Sequence, residues 1–260
     1  MCAQLSSLGH AAGAGGKDAS ETMSSFAQHV YALLDRTEYR RCESGEDFES
    51  IYRLRYNSYR MNDLVPENAS RQVHDEFDEL PNCHTFGIYI DGRLVSTMRL
   101  HNVSADNATS PALSVYEDLL MPRLAAGEVF IDPSRFAVDA EWSRLYPQIP
   151  YVTLRLAGMA CFHFGAPYCI SMIREDHAAF YKRIYRARPI GDARPYAGVI
   201  NCFALLYQAD VLAIKNETYA RFPFFRSTPM EQRMLFDTPG AGELAPLTIL
   251  PTAKYFREAA

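Results

Sequence analysis

The chain has 260 residues, 48% of them hydrophobic and 22% charged, with a formal net charge of −5. That is ordinary globular composition, with length for one large domain or one domain with extensions. The acidic balance argues against nucleic acid as the main partner, since neutralising phosphate needs a basic excess, and no apolar run approaches the roughly 18 residues of a membrane-spanning helix.

Residues 1–20 are rich in Gly and Ala and lack the basic flank and long apolar core of a signal peptide. They are expected to form a flexible leader. Residues 20–36 place Met23, Phe26, Val30, Leu33 and Leu34 at helical spacing, which predicts an amphipathic helix ahead of the main domain. A short strand is expected at 38–43. A second helix follows at 46–60, with Phe48, Ile51, Tyr52, Arg55 and Tyr59 on neighbouring parts of one face. After a polar loop to about residue 82, strands at 84–90 and 94–102 flank Asp91-Gly92, a hairpin turn signal.

Residues 113–124 read as a helix and 128–138 as a strand. A helix at 151–164 ends at Gly165. A buried strand is expected at 168–173, a helix at 176–186, a strand at 201–208 and a further helix over 209–221. From 227 to 260, prolines and glycines read as a loose tail. The order of elements predicts a mixed α/β sheet with helices on both faces, in a domain spanning 21–226.

Several charges do not suit their surroundings. Arg55 lies on a partly apolar helix face, Asp75 and Asp78 stand three apart, Arg99 lies in a hairpin strand, and Asp132 and Arg135 interrupt the strand "VFIDPSRFAV" around Pro133. Each has an ordinary alternative: a snorkelling arginine, solvated loop acids, a strand residue facing out. Together they could satisfy one another at a cleft, because isolated buried charges are too costly.

On these residues the chain resembles the acyl-homoserine-lactone synthases and the N-acyl amino acid synthases of the FeeM type. The shared pattern is Arg55 followed by the aromatic Tyr59, the acids Asp75 and Asp78, Arg99 in a later strand, and Asp132-Pro-Ser-Arg135-Phe136 in the central strand. It covers about residues 50–140. The resemblance implies a GNAT-like fold, with a mostly antiparallel sheet, and an acyltransferase activity. Homoserine-lactone synthases carry a tryptophan about ten residues after the helix arginine. This chain has Val65 there, and its single tryptophan is Trp142. The phrase "IYRLRYNSY" and the length favour the N-acyl amino acid synthase branch.

The resemblance implies aminolysis of an acyl thioester. Asp132 is the candidate base, acting through a water. Its carboxyl needs burial or a neighbouring acid to rise above the reference value of about 3.9. Arg135 would orient the site, and main-chain N–H groups at a bulge or splay near Pro133 would hold the oxyanion. Tyr181 resembles the GNAT tyrosine that protonates the leaving thiol. Arg55, Tyr59, Asp75, Asp78, Arg99 and Phe136 would bind substrate. The 15 Phe and 16 Tyr would suit an acyl tunnel or a core.

The letters of a GNAT pyrophosphate loop, [QR]-x-x-G-x-[GA], recur at Arg155-Leu-Ala-Gly158-Met-Ala160. The helix start expected near Pro150 puts them mid-helix, where the N–H groups are already bonded. That favours a donor without a nucleotide: acyl-phosphopantetheine on acyl carrier protein, with no bound cofactor. Arg174, Lys182, Arg183, Arg186, Arg188 and Arg194 face only three acids over 174–194. A basic patch at Lys182, Arg183, Arg186 and Arg188 would draw an acidic carrier, or would be a solvated helix face.

Cys2, Cys42, Cys83, Cys161, Cys169 and Cys202 form no C-x-x-C pair, and no H-x-x-x-H occurs, so no metal is expected. The cysteines read as reduced thiols in a cytoplasmic protein. Absence of G-x-S-x-G disfavours a serine hydrolase. The alternatives are a homoserine-lactone synthase using S-adenosylmethionine, an acyl-CoA-dependent acetyltransferase, and a non-catalytic carrier- or lipid-binding protein. The termini could cap a tunnel, touch a membrane surface or dimerise.

Overall fold

The computed structural model describes residues 23–257. The expected leader, Cys2 and the first residues of the amphipathic helix lie outside the described residues, as do the last three of the chain.

Local signals set where elements begin and end. Helix α1, Ser25–Leu34, starts at Ser24, whose side chain accepts the Ala27 N–H. Helix α2, Gly45–Arg60, is capped by Ser44, with Glu46 and Asp47 in its first turn and Arg60 in its last, as the helix dipole favours. Strands β2, Cys83–Ile90, and β3, Arg93–Val103, form the expected hairpin. Its turn residues Asp91 and Gly92 have φ of 50° and 76°, which a tight I′ hairpin turn requires.

Strands β1 (Thr37–Arg41), β4 (Phe130–Val138), β5 (Tyr168–Ile173), β6 (Arg188–Pro189), β7 (Arg194–Pro195) and β8 (Phe203–Asp210) complete an eight-stranded sheet. Its order is β1-β2-β3-β4-β5-β8-β6, with β7 also on β8. Only β4 and β5 run parallel; the other pairs are antiparallel. This is the mixed, mostly antiparallel sheet expected.

The two faces of the sheet bury different things. On one, Phe86, Ile88, Met98 and Ile131 pack with α1 and with helix Ile149–His163. On the other, Val103 and Phe130 pack with Leu113, Tyr116 and Leu120. Strand alternation puts Arg99, His101 and Val103 together on this second face, which α2 also covers.

Three expectations need correction. Residues 113–124 are not one helix: Pro111–Val115 (α3) and Glu117–Ala125 (α4) meet at Tyr116. The buried Tyr116 hydroxyl lies 2.8 and 2.7 Å from the carbonyls of Asp192 and Ala204 and shares its one proton between them, which fixes the break. A short helix, Ala140–Leu145 (α5), lies between β4 and the helix expected at 151–164, and Lys215–Arg221 (α8) replaces the longer helix expected over 209–221.

The third correction concerns the C-terminal segment, which is not a loose tail over the described part, 227–257. Helix α9, Pro229–Phe236, is capped by Thr228 and buries Leu235 and Phe236. Ile249 bridges Tyr39 of β1 through paired main-chain bonds of 2.8 and 2.9 Å. The anchor is ionic. Arg155, on helix α6 (Ile149–His163), forms a fully buried pair with Glu231, with Nη2 donating to Oε2 at 2.8 Å. Arg155 also donates to the carbonyls of Phe224 and Arg226, and Glu231 accepts the Thr252 N–H. Arg155 lies mid-helix, as expected, so its sequence match to a phosphate loop has no loop behind it.

Removing one partner of a buried pair leaves the other uncompensated. Glu231→Ala is expected to lower stability by about 3–5 kcal/mol in urea denaturation; a loss below about 1 kcal/mol would show that the pair does not anchor the segment.

Candidate active site

The spacing of Asp75 and Asp78 has a local cause. Asp75 caps a 3-10 turn, Glu76–Glu79, by accepting the Phe77 N–H at 3.1 Å, and Asp78 returns a bond to the Asp75 N–H at 3.1 Å. This reciprocal capping box holds both carboxylates in place. Their remaining lone pairs meet three arginines from three elements. Arg55 of α2 donates to Asp78 at 2.8 Å. Arg99 of β3 lies 3.0 Å from Asp78 and also bonds Asp75. Arg135 of β4 donates through Nε to Asp75 at 3.1 Å. The side chains of Arg55 and Arg99 are fully buried, and those of Asp78 and Arg135 nearly so. Burial by itself would raise the two carboxyls. Hydrogen bonding to Arg99 and the charges of Arg135 and Arg99 outweigh it and hold Asp75 at about 2. Asp78 is lowered by the charges of Arg55 and Arg99 in the same way.

Arg135 reaches this cluster because β4 is irregular. Met98 opposes both Arg135 and Phe136, a bulge between the pairs Thr97–Ala137 and Arg99–Ser134. Arg135 has φ of 51°, the left-handed region that costs a non-glycine residue about 1–3 kcal/mol. In a regular strand, Asp132 and Arg135 would point to opposite faces. The bulge turns Arg135 to the face that Arg99 occupies, where its guanidinium also donates to the Gly198 carbonyl at 3.0 Å and lies 5.7 Å from the Tyr59 ring centre.

Asp132 shares that face but not the cluster. It stands opposite His101 in register, and its Oδ2 accepts the Ala112 N–H of α3 at 2.7 Å, while Oδ1 makes no hydrogen bond. Burial pushes its carboxyl up to about 6, against the pull of the Ala112 N–H, Ser110 and Arg99. His101, held neutral by burial and by Arg99 at about 4, bonds the Phe77 carbonyl through Nε2 at 2.9 Å. A carbonyl accepts only, so Nε2 carries the proton.

Two cavities meet at the middle of the sheet. β4 and β5 pair only at Phe130–Tyr168 and Ile131–Cys169. Pro133 has no N–H to continue the ladder, and no pair joins the two strands beyond Ile131–Cys169. The first cavity runs between α6, β5, β8 and helix α7 (Ala178–Tyr185), and its lining is almost wholly apolar. The second is bounded by Asp132, Arg135, Phe136, Tyr59, Tyr196 and His177. Pro133, Leu154, Ser171 and Tyr181 line both. Burial pushes the Tyr181 phenol well above its ordinary range, so it keeps its proton.

Of the residues expected at a site, Arg55, Asp75, Asp78, Arg99 and Arg135 converge in one network; Tyr59, Phe136, Asp132 and Tyr181 border the adjoining cavity. Lys182, Arg183, Arg186 and Arg188 are exposed on and just after α7. Arg186 is engaged with Glu217 at 2.9 Å, so the patch is less bare than the sequence suggested. Sequence reasoning missed His101, Tyr196 and Ser134, whose Oγ accepts from Arg99 Nε at 3.0 Å. His101 was legible from its alternation with Arg99; Tyr196, in a loop, carried no signal. Among the described residues no group of His, Cys, Asp and Glu could hold a metal ion.

Asp75 is held below its ordinary value of 3.8. Its contribution to stability is therefore present above about pH 4 and lost as pH falls towards 2. Asp75→Asn is expected to flatten this acid limb in denaturation at pH 2–5, and an unchanged limb would show that the carboxylate is not paired in solution.

The comparisons with known proteins bear on this geometry. A solved structure of FeeM, an N-acyl amino acid synthase from uncultured soil microbes, superposes with a TM-score of 0.60 at 19% identity, covering 72% of this chain and 99% of that one. The homoserine-lactone synthase LasI superposes at 0.51 with 12% identity, covering 67% and 89%. At those identities the likeness concerns the fold alone, a mixed, mostly antiparallel sheet with helices. A comparison with curated proteins returned no match. Residues 50–210, more than half of the sequence, match the family described as N-acyl amino acid synthase FeeM, from Ser50 in α2 to the last residue of β8. The chain therefore belongs to the FeeM family of N-acyl amino acid synthases and is an acyltransferase.

Proposed function

We propose that this protein transfers a long fatty acyl group from acyl carrier protein to the amine of an amino acid or a related small amine. The observation that carries this reading is the meeting of an apolar cavity and a charged one at the gap between β4 and β5, where Tyr181 borders both. The apolar cavity takes the acyl chain and the charged one takes the acceptor. The thioester carbonyl lies between them, beside Pro133.

Asp132 accepts a proton from the ammonium or attacking amine through a water. The amine nitrogen bonds the carbonyl carbon, and main-chain groups of β4 freed from the β5 ladder hold the oxyanion. The C–S bond then breaks, and the Tyr181 hydroxyl donates a hydrogen bond to the departing sulfur. Three guanidiniums stand against two carboxylates in the cluster, so the cluster itself, which does not include Asp132, carries one net positive charge. That excess favours an acceptor with a carboxylate, which argues for an amino acid. Tyr59 and Phe136 would pack against its side chain.

The mid-helix position of Arg155–Ala160 argues against a nucleotide-bearing donor, since no free N–H groups remain there. Phosphopantetheine on a carrier protein fits better. The exposed Lys182, Arg183 and Arg188, with Arg186, would receive its acidic surface. No helix of the described residues is long and apolar enough to cross a membrane; we place the reaction in the cytoplasm, where acyl carrier protein would be met.

Only ionised Asp132 can accept a proton, so kcat/KM is expected to rise with pH through about 6 and then level off. Free-thiol release from acyl carrier protein in the presence of an amino acid measures it. Asp132→Asn is expected to cost about 10²–10⁴-fold and to abolish this pH limb. Undiminished turnover in that variant would rule out Asp132 as the base.

A further inference from the structure

The matched family region ends at Asp210, but the apolar cavity does not. Its inner end, shared with the charged cavity, is built from Pro133, Leu154, Ser171 and Tyr181. Its far end is Val211, Ile214, Lys215, Thr218, Tyr219 and Phe225, all beyond the match. The cavity follows β8 from Tyr207 through Ala209 and on to Val211 just past its end, four residue steps or about 13 Å of extended chain, before it meets α8.

This far wall is held firmly. Tyr219 packs edge-on against Phe162 of α6, with ring centres 5.8 Å apart. The Lys215 ammonium lies over both rings, 4.8 Å from Phe162 and 5.8 Å from Tyr219. Lys215 is exposed, so its charge marks where the apolar channel reaches water. Behind the wall, Phe225 follows Phe224, whose carbonyl accepts from Arg155 in the buried pair with Glu231. A wall fixed this way does not yield to extra methylenes without strain.

We propose that the segment after β8, through Thr218, Tyr219 and Phe225 with Lys215 as a charged stopper, sets the length of the acyl chain this enzyme accepts. The inference rests on the reading that the apolar cavity holds the acyl chain. Up to the wall, each added methylene gains about fourfold in binding. Past it, the chain must displace an aromatic ring or meet an ammonium and water, so selectivity falls off on the long side. The chemistry stays with the family region, and length selection comes from the part outside it.

The test uses the full-length protein with saturated acyl carrier protein donors of graded length and mass spectrometry of the N-acyl products. Tyr219→Ala is expected to move the preferred length up by about two methylenes, and Thr218→Phe to move it down, each with about fourfold changes per methylene in relative kcat/KM. Displacement of a fluorescent fatty acid by acids of graded length reads the same wall without turnover. It also covers the case in which Tyr219→Ala fails to fold, because Thr218→Phe then decides alone. Folded variants with the wild-type length profile in both assays would overturn the proposal. So would a change confined to KM for the carrier protein, which would make this end the docking site. Length-selective fatty acid binding that shifts in the variants, with no N-acyl product from the wild type, would count against the reaction and leave the wall standing. Absence of any fatty acid binding would remove both.

Discussion

The organising interaction is the bridging of two aspartates by three buried arginines. Taking five charges out of water costs several kcal/mol for each ion after relaxation, and mutual attraction offsets this only with good geometry and satisfied lone pairs. The capping box supplies that geometry. Asp75 and Asp78 are already fixed by main-chain N–H groups, so little freedom remains to be lost when Arg55, Arg99 and Arg135 close on them. The network ties α2, β3, β4 and the loop over 61–82 to one another. The loop is held on this face also by Val65 and Val73 packed with Tyr56, and by the Phe77 carbonyl on His101.

The same network explains the strain in β4. A left-handed residue at Arg135 is unfavourable in isolation. It persists because the bulge delivers the guanidinium to Asp75, and because Pro133 has already ended the ladder with β5. Two neighbouring irregularities therefore act together: the bulge directs an arginine to the charged face, and the break at Pro133 opens the sheet beside β5. That opening joins an apolar cavity on the α6 side to a charged cavity on the other. The gap thus puts two opposite surroundings, one apolar and one bearing charged groups, in contact with each other.

The buried Arg155–Glu231 pair plays the corresponding part on the apolar side. It is weak as a source of net stability, since well-packed apolar residues could replace it. Its value is in specifying one arrangement: Arg155 spends its donors on Glu231, Phe224 and Arg226, and so fixes how the segment after α8 lies against α6. The N-terminal helix joins this packing through Phe26 and Tyr31 against Phe224.

What the sequence alone determined was whatever rests on short-range pattern. The hairpin followed from Asp91-Gly92, the ends of one helix from Pro150 and Gly165, and the family from the order of the charges along the chain. Strand alternation and capping act over a few residues, so the sequence carries them directly. Only the tertiary structure decided the rest. It paired Arg155 with Glu231 across 76 positions, set the bulge expected near Pro133 opposite Met98 so that Arg135 turns to the charged face, and separated Asp132 from the cluster by giving it the Ala112 N–H. It also made an ordered wall of a stretch whose prolines and glycines read as loose. Prolines and glycines report local backbone preference, whereas burial of Leu235, Phe236 and Ile249 depends on which distant surface is there to receive them.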